Sequence, residues 1–526
     1  MASLSNNINI VITRKELPFL LLFVSAGVFL MMAMAFGIVN ALSFVPMLCA
    51  VPIFAFVVTR RKKAGVNPET IMNESPTAIG MMRLMIDRGH SLDSVVRAVA
   101  KNGPPNIARM FSKAVWDVDT KASPDIRDSL GAMLASLPDT LTAFKRSMYL
   151  IVSASDSNDA NEKTRITKDA GDTMLEGLKE MGESYSSKLN APCMAIFGLG
   201  VMVPMILVSI LPMLSVGGQF SSAALDPMVI AALTLIVIPA VVGAVIMMIA
   251  SKNPFYVRSA ERSDIIILAP VAVCIPIFAV LYMRTNDVAM SMAISAIASG
   301  ISLFAILYRK MNAERRKVKI GSIMGDVLFD LGNRLLSGEN FEKALIASFK
   351  ERKDCADLAA SLEGCVSVSR GDTEWAIRNA MDPYSKKMAD MYADVHTSSL
   401  KDLRDAGRLA VSIGHQIQDQ NATVNGIKNK LRSMLDMMTG TSAVFAPLIL
   451  GISVSMLAPL MSLAGGSGMS FTSPILMMYL IELAALISIL TTQLRCKGGL
   501  LTTLYSFSIM MPVALIVFLM SSNLSI

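Results

Sequence analysis

Apolar side chains recur at three- and four-residue steps from Ile320: Ile323, Val327, Leu328, Leu331 and Leu335 come after it. This spacing lays them along one face of an α-helix. Gly338 is placed to end that helix, because glycine enters the left-handed conformation at little cost. Asn340 is then a good N-cap for a second helix, whose apolar face is Phe341, Leu345 and Phe349. A helical hairpin is predicted.

The same device lies upstream. Ile79, Met82, Leu84 and Ile86 lead to Gly89, Ser91 stands where Asn340 stands, and Leu92, Val96 and Val99 supply the second face. The two glycines are 249 residues apart (338 minus 89), and the apolar run Pro204–Leu214 matches Pro447–Leu457 at an offset of 243. In each copy a polar helical domain precedes a membrane-length apolar segment, so the chain reads as an internal duplication.

About nine stretches are apolar over roughly the 18 residues or more that a helix needs to cross a bilayer: Leu17–Val39, Leu42–Val58, Ala191–Leu214, Met228–Ala250, Ile265–Met283, Val288–Tyr308, Ala443–Ala464, Pro474–Leu494 and Leu501–Met520. With Arg14 and Lys15 inside, nine crossings also place Arg60–Lys63, Lys252/Arg258/Arg262, Arg309–Lys319 and Arg495/Lys497 on the cytoplasmic side. Only Arg284 then falls in an external loop. This positive-inside bias predicts a multi-pass cell-membrane protein with a cytoplasmic N-terminus and an external C-terminus. The first span reads as a retained signal anchor, since it starts late and has no small-residue cleavage site after it.

The fold class expected is therefore an all-α polytopic membrane protein with two helical-bundle cytoplasmic domains. Residues 1–58 would hold two transmembrane helices, 59–190 the first cytoplasmic domain and 191–308 four spans. Residues 309–440 would form the second domain and 441–526 three further spans. Long helices are expected over Thr164–Lys188 and Leu400–Leu435, leading into the membrane. Tyr149–Val152 is the best strand candidate, in surroundings that read as helix. The external links are too short to fold, so specific partners would be met on the cytoplasmic side or within the membrane.

Composition agrees: 53% of the 526 residues are apolar and 17% charged, with 40 methionines spread over the spans as adaptable packing. The net charge of +7 tracks the inner loops and lacks interleaved aromatics, which excludes nucleic acid as the partner.

Little in the chain carries chemistry. It has no Gly-x-x-x-x-Gly-Lys-Ser/Thr and no His-Glu-x-x-His, so neither ATP hydrolysis nor a zinc site is expected. His90, His396 and His415 stand alone, and the six cysteines are scattered. Catalytic residues, metal and cofactor are all read as none, and the chain is read as not an enzyme. Glu482 is the one acid well inside an apolar span, a candidate proton or ion site or a carboxyl bonded within the helix bundle. Basic groups at the hairpin tips, Arg88 and His90 in the first copy and Lys350, Arg352 and Lys353 in the second, are candidates for docking an acidic partner.

The duplicated unit resembles the type II secretion system F domain, carried by Arg83–Ala100 with Pro204–Leu214 and by Gly332–Phe349 with Pro447–Leu457. Two such domains with about nine spans look like the archaeal membrane platform proteins of archaella and type IV-like pili. The resemblance implies an assembly platform that gathers pilin (archaellin) subunits and engages a cytoplasmic hexameric secretion ATPase. The bacterial members resemble the cytoplasmic domains but typically have three or four spans. A groove of small residues, Gly198, Gly200, Gly451 and Ser455, would take the apolar helix of a pilin. A homodimer would present four cytoplasmic domains to that ATPase. Two rival readings are a secondary transporter with internal repeats and a membrane scaffold that recruits cytoplasmic partners.

Overall fold

A computed structural model describes residues 68–207, 233–251, 257–258, 269–285, 287–464, 472–495, 497–498 and 500–523. The expected spans Leu17–Val39 and Leu42–Val58 and the basic run Arg60–Lys63 lie outside these residues, as do the ends of several later spans. The described chain is almost wholly helical. Its one extended feature is a two-residue parallel bridge pairing Val257 with Lys497 and Arg258 with Gly498. Tyr149–Val152 is helical. The chain divides into two compact units, an apolar one containing Tyr185–Met311 and Lys430–Ile526 and a polar one of Val66–Ser184 with Asn312–Asn429.

Among the described residues, five helices are long and apolar enough to cross a membrane, within Ala160–Leu207, Val288–Leu336, Leu403–Met456, Ser473–Leu494 and Leu501–Ser522. The protein is thus an all-α membrane protein. Met228–Ala250 and Ile265–Met283 are represented by the shorter helices Ile238–Ser251 and Ala269–Thr285.

In the polar unit, the first bundle comprises α1 (Pro68–Asp87), α2 (Leu92–Asn102), α3 (Pro105–Asp119), α4 (Ile126–Ser136), α5 (Thr142–Asp156) and the first part of α6 (Ala160–Phe197). Ile79, Met82, Ile86, Val96, Val99, Phe111, Phe144 and Met148 are wholly buried in it. Glu74 shows how α1 fixes α3. Pro104 and Pro105 open α3 with no side-chain cap, and the Glu74 carboxylate accepts instead from the N–H groups of Asn106 (2.9 Å) and Ile107 (3.2 Å) and from Asn106 Nδ2 (2.8 Å). An acidic side chain from another helix thereby satisfies the exposed N–H groups of a helix start.

The apolar unit contains α7 (Ile238–Ser251) and α8 (Ala269–Thr285). Next comes α9, which runs unbroken from Val288 to Leu336, about 75 Å at 1.5 Å per residue. The basic link Arg309–Lys319 contains neither Gly nor Pro, so span and first hairpin helix fuse into one. The second bundle continues with α10 (Phe341–Lys350), α11 (Ala356–Ser369), α12 (Thr373–Met381), α13 (Lys386–Ser399) and α14 (Leu403–Gly440). Its core gathers Val327, Leu331, Leu345, Phe349, Leu362, Ile377 and Tyr392. The Tyr392 hydroxyl donates to the Met324 carbonyl at 2.8 Å, so its polar end is satisfied in the core. The apolar unit closes with α15 (Ala446–Ala464), α16 (Thr472–Leu494) and α17 (Leu500–Ser522).

The helices α6 and α14 share a design. Each has 38 residues and passes into a five-residue π turn, Gly198–Met202 after α6 and Thr441–Phe445 after α14. A third π turn, Leu233–Val237, precedes α7. All three end two residues before a proline: Pro204, Pro239 and Pro447. Proline lacks an N–H, and its ring collides with the carbonyl four residues back. One extra residue upstream widens the turn and relieves that collision.

Candidate functional site

The hairpin turns are built alike. Gly89 and Gly338 take φ of 82° and 88°, which a Cβ would strain even though open space surrounds both. In the first turn, Gly89 N–H donates to Ile86 O (2.9 Å) and His90 N–H to Met85 O (3.1 Å). In the second, Gly338 N–H donates to Leu335 O (3.0 Å) and Glu339 N–H to Arg334 O (3.1 Å). These are the paired bonds of a Schellman helix end. Ser91 then caps α2 through Ser94 N–H, and Asn340 caps α10 through Glu342 N–H.

The five basic tip residues do not form one patch. Arg88 donates to Ser398 Oγ on α13 at 3.3 Å. Lys350 pairs with Glu363 at 2.8 Å and Arg352 with Asp330 at 3.0 Å. On α13, the His396 ring packs at a tilt against Phe341 and that of Tyr392 against Phe349, so the Arg88 end of α13 meets the start of α10 while Lys350 ends it. The ten-residue α10, about 15 Å long, separates the two groups. Among the described residues, His90 and Lys353 have no side-chain partner, which leaves them the freest of the five to meet another protein.

Burial shifts several groups here. The Asp394 carboxyl rises above its ordinary value because it is desolvated, with Arg88 pulling the other way. Asp87 rises for the same reason, against the Thr167 hydroxyl that donates to it at 2.8 Å and the charge of Arg83. Desolvation lowers His396 below 6.5, opposed by the charges of Glu342, Glu374 and Asp372, and its Nδ1 is buried without a hydrogen bond. The folded protein binds this proton less readily than the unfolded chain does. His396 therefore contributes stability above about pH 6.5 that is lost as pH falls toward its depressed value. Replacing it by glutamine is expected to flatten the loss of unfolding midpoint between pH 7 and 5, while the loss of the ring contact with Phe341 shifts the midpoint equally at every pH. An unaltered slope would show that the acid sensitivity arises elsewhere.

An open cleft of about 330 Å³ lies in the polar unit between α1, α6 and α14, lined by Gly80, Arg83, Asp172, Gln416, Asp419 and others. Gln420 Nε2 reaches the Pro76 carbonyl at 3.1 Å across it. It brings together no nucleophile and base. Among the described residues no cluster of His, Cys, Asp and Glu suits a metal ion.

In the apolar unit, the expected groove is filled in part by the chain itself. A Cβ on Gly200 would meet Leu483 at 3.2 Å and Val242 at 3.6 Å, and one on Gly451 would strike Ser521 Oγ at 1.8 Å. The Tyr479 hydroxyl donates to the Gly200 carbonyl, whose usual donor four residues on is Pro204. Of the four groove residues, Gly198 has open space and Ser455 is half-buried, so these two remain for a visiting helix. Glu482, one turn beyond Tyr479, has a buried Oε2 with no hydrogen-bond partner.

Sequence reasoning did not find the π turns, although Pro204, Pro239 and Pro447 inside apolar runs were the signal. The trans cap by Glu74 left no periodic trace. No family model, no curated protein and no solved structure matches this chain.

Proposed function

We propose that this protein is the membrane platform of a type IV pilus-like, archaellum-like or type II secretion-like assembly machine. It couples a cytoplasmic hexameric ATPase to the insertion of pilin subunits. The observation that carries this reading is the unit that occurs twice: a Schellman-ended hairpin, a 38-residue helix, a five-residue π turn and a proline. That recurrence supports an internal duplication, and the basic clusters support nine spans with the N-terminus inside and the C-terminus outside. Because α6, α9 and α14 each hold residues of both compact units, movement of the polar bundles has a continuous helical route to the membrane-spanning segments.

No nucleotide motif accompanies these bundles, which suits a receiver of force more than its source. The transporter reading draws on Glu482 and the proline-broken spans. It leaves two polar bundles of about 120 residues each (66–184 and 312–429) without a role.

The full chain in lipid nanodiscs is expected to capture the secretion-type hexameric ATPase of its own organism, and Lys353→Glu to weaken that capture. Cross-linkers placed at Gly198 and Ser455 should reach pilin during assembly. A wild-type chain that captures no ATPase would contradict the proposal and move the weight to the transporter.

A further inference from the structure

Glu482 lies in α16, whose span is 67% buried within the protein, more than any of the other four. All three π turns pack on this helix. Around Glu482 the arrangement is specific: Tyr479, three residues before it, and Leu483, next to it, both reach Gly200 in the first π turn. Residues three apart share a helix face, so the carboxyl lies beside the contact between α16 and that turn.

The turn itself exposes backbone oxygen. Val203 N–H donates to Gly198 O, and the next position is Pro204, which has no N–H. The Leu199 carbonyl is thereby left without a donor from its own helix.

Charge makes the site incomplete. No Lys, Arg, Asp or Glu other than Glu482 occurs in α16, α7, α15 or α17, or from Ala191 to Leu207 of the α6 segment. The other titratable side chains of these elements are Tyr479, Cys193 and Tyr505. An ionised carboxylate with a buried, unpartnered oxygen is costly inside a span, and no described neighbour supplies a countercharge.

We propose that Glu482, with the Tyr479 hydroxyl and the backbone carbonyls of the Gly198–Met202 turn, is a binding site for one monovalent cation, a proton or an alkali-metal ion. The donors are all hard oxygens, which suit these cations and not a thiophilic transition metal, and a single positive charge neutralises the single carboxylate. Pro204 leaves a carbonyl of this turn without a donor from its own helix, so backbone oxygen is available beside the carboxyl. This inference stands independently of the platform reading.

The test is carbodiimide labelling of the full wild-type chain in lipid. Dicyclohexylcarbodiimide adds to a protonated carboxyl in an apolar setting and rearranges to a stable N-acylurea, located by mass spectrometry of peptides. Adduct at Glu482 that falls about tenfold at saturating sodium or potassium, at constant pH, identifies an alkali-ion site. Adduct that falls as pH rises and ignores both salts identifies a proton site. No adduct under any condition, or an adduct indifferent to pH and to both salts, overturns the proposal. As a second readout, the melting temperature of the wild-type chain should depend on the same cation, and that of Glu482→Gln should not.

Discussion

Gly332→Val and Gly414→Val are each expected to unfold the second bundle or to leave it destabilised by about 3 kcal/mol or more. A Cβ on Gly332 would lie 2.7 Å from Val411 N and 2.8 Å from Gly407 O. One on Gly414 would lie 2.8–2.9 Å from the Cβ, Cα and N of Phe329. The obstructing atoms are mostly backbone, which cannot rotate aside, so α9 and α14 would have to separate along their shared seam. Separation would open the layer around Leu328, Leu331 and Ile413. Gly364→Val is the matched control, because a Cβ there meets nothing within 4 Å. Urea titration of the full chain in detergent, with Trp116→Phe in every variant so that Trp375 in this bundle is the reporting fluorophore, reads the difference. Equal midpoints for Gly414→Val and Gly364→Val would refute the tight seam.

The largest functional effect is expected from Pro204→Ala with Pro447→Ala. Restoring the missing N–H groups permits ordinary α-helical bonding and removes the reason for both π turns. Each long helix would then enter the membrane straight and stiff. Capture of the ATPase should persist, since the polar bundles are untouched. Filament assembly should fall by about tenfold or more, equivalent to about 1.4 kcal/mol of lost coupling. The single Pro447→Ala variant should be intermediate, because the first π turn keeps its Tyr479 bond to Gly200. Unchanged assembly in the double variant, with regular helix in both turns, would remove the π turns from the mechanism.

Both hairpins were legible in the sequence because their chemistry is local. Gly89 and Gly338 must take positive φ, and Ser91 and Asn340 must cap the second helix of each hairpin. The length of the helices was less legible. The sequence pattern showed the span Val288–Tyr308 and the helix face from Ile320 as separate elements, yet the Arg309–Lys319 run between them has nothing that breaks a helix. The candidate site was least legible of all. Glu482 stood out as a lone acid in an apolar run, but its relation to Gly200 rests on a Tyr479 contact that joins residues 279 apart in sequence. No periodicity encodes such a contact. The tip cations were visible as charges, but not the partners Glu363, Asp330 and Ser398 that engage three of them. Those partners come from helices whose arrangement only the fold sets.

The most direct test of the platform reading is the steady-state ATPase rate of the organism's secretion-type hexameric ATPase, with and without the full chain in lipid nanodiscs. The account predicts that the wild-type chain binds and changes the rate, and that Pro204→Ala with Pro447→Ala still binds but returns the rate toward that of the ATPase alone. An ATPase that neither binds the wild-type chain nor changes its rate in its presence would contradict the account.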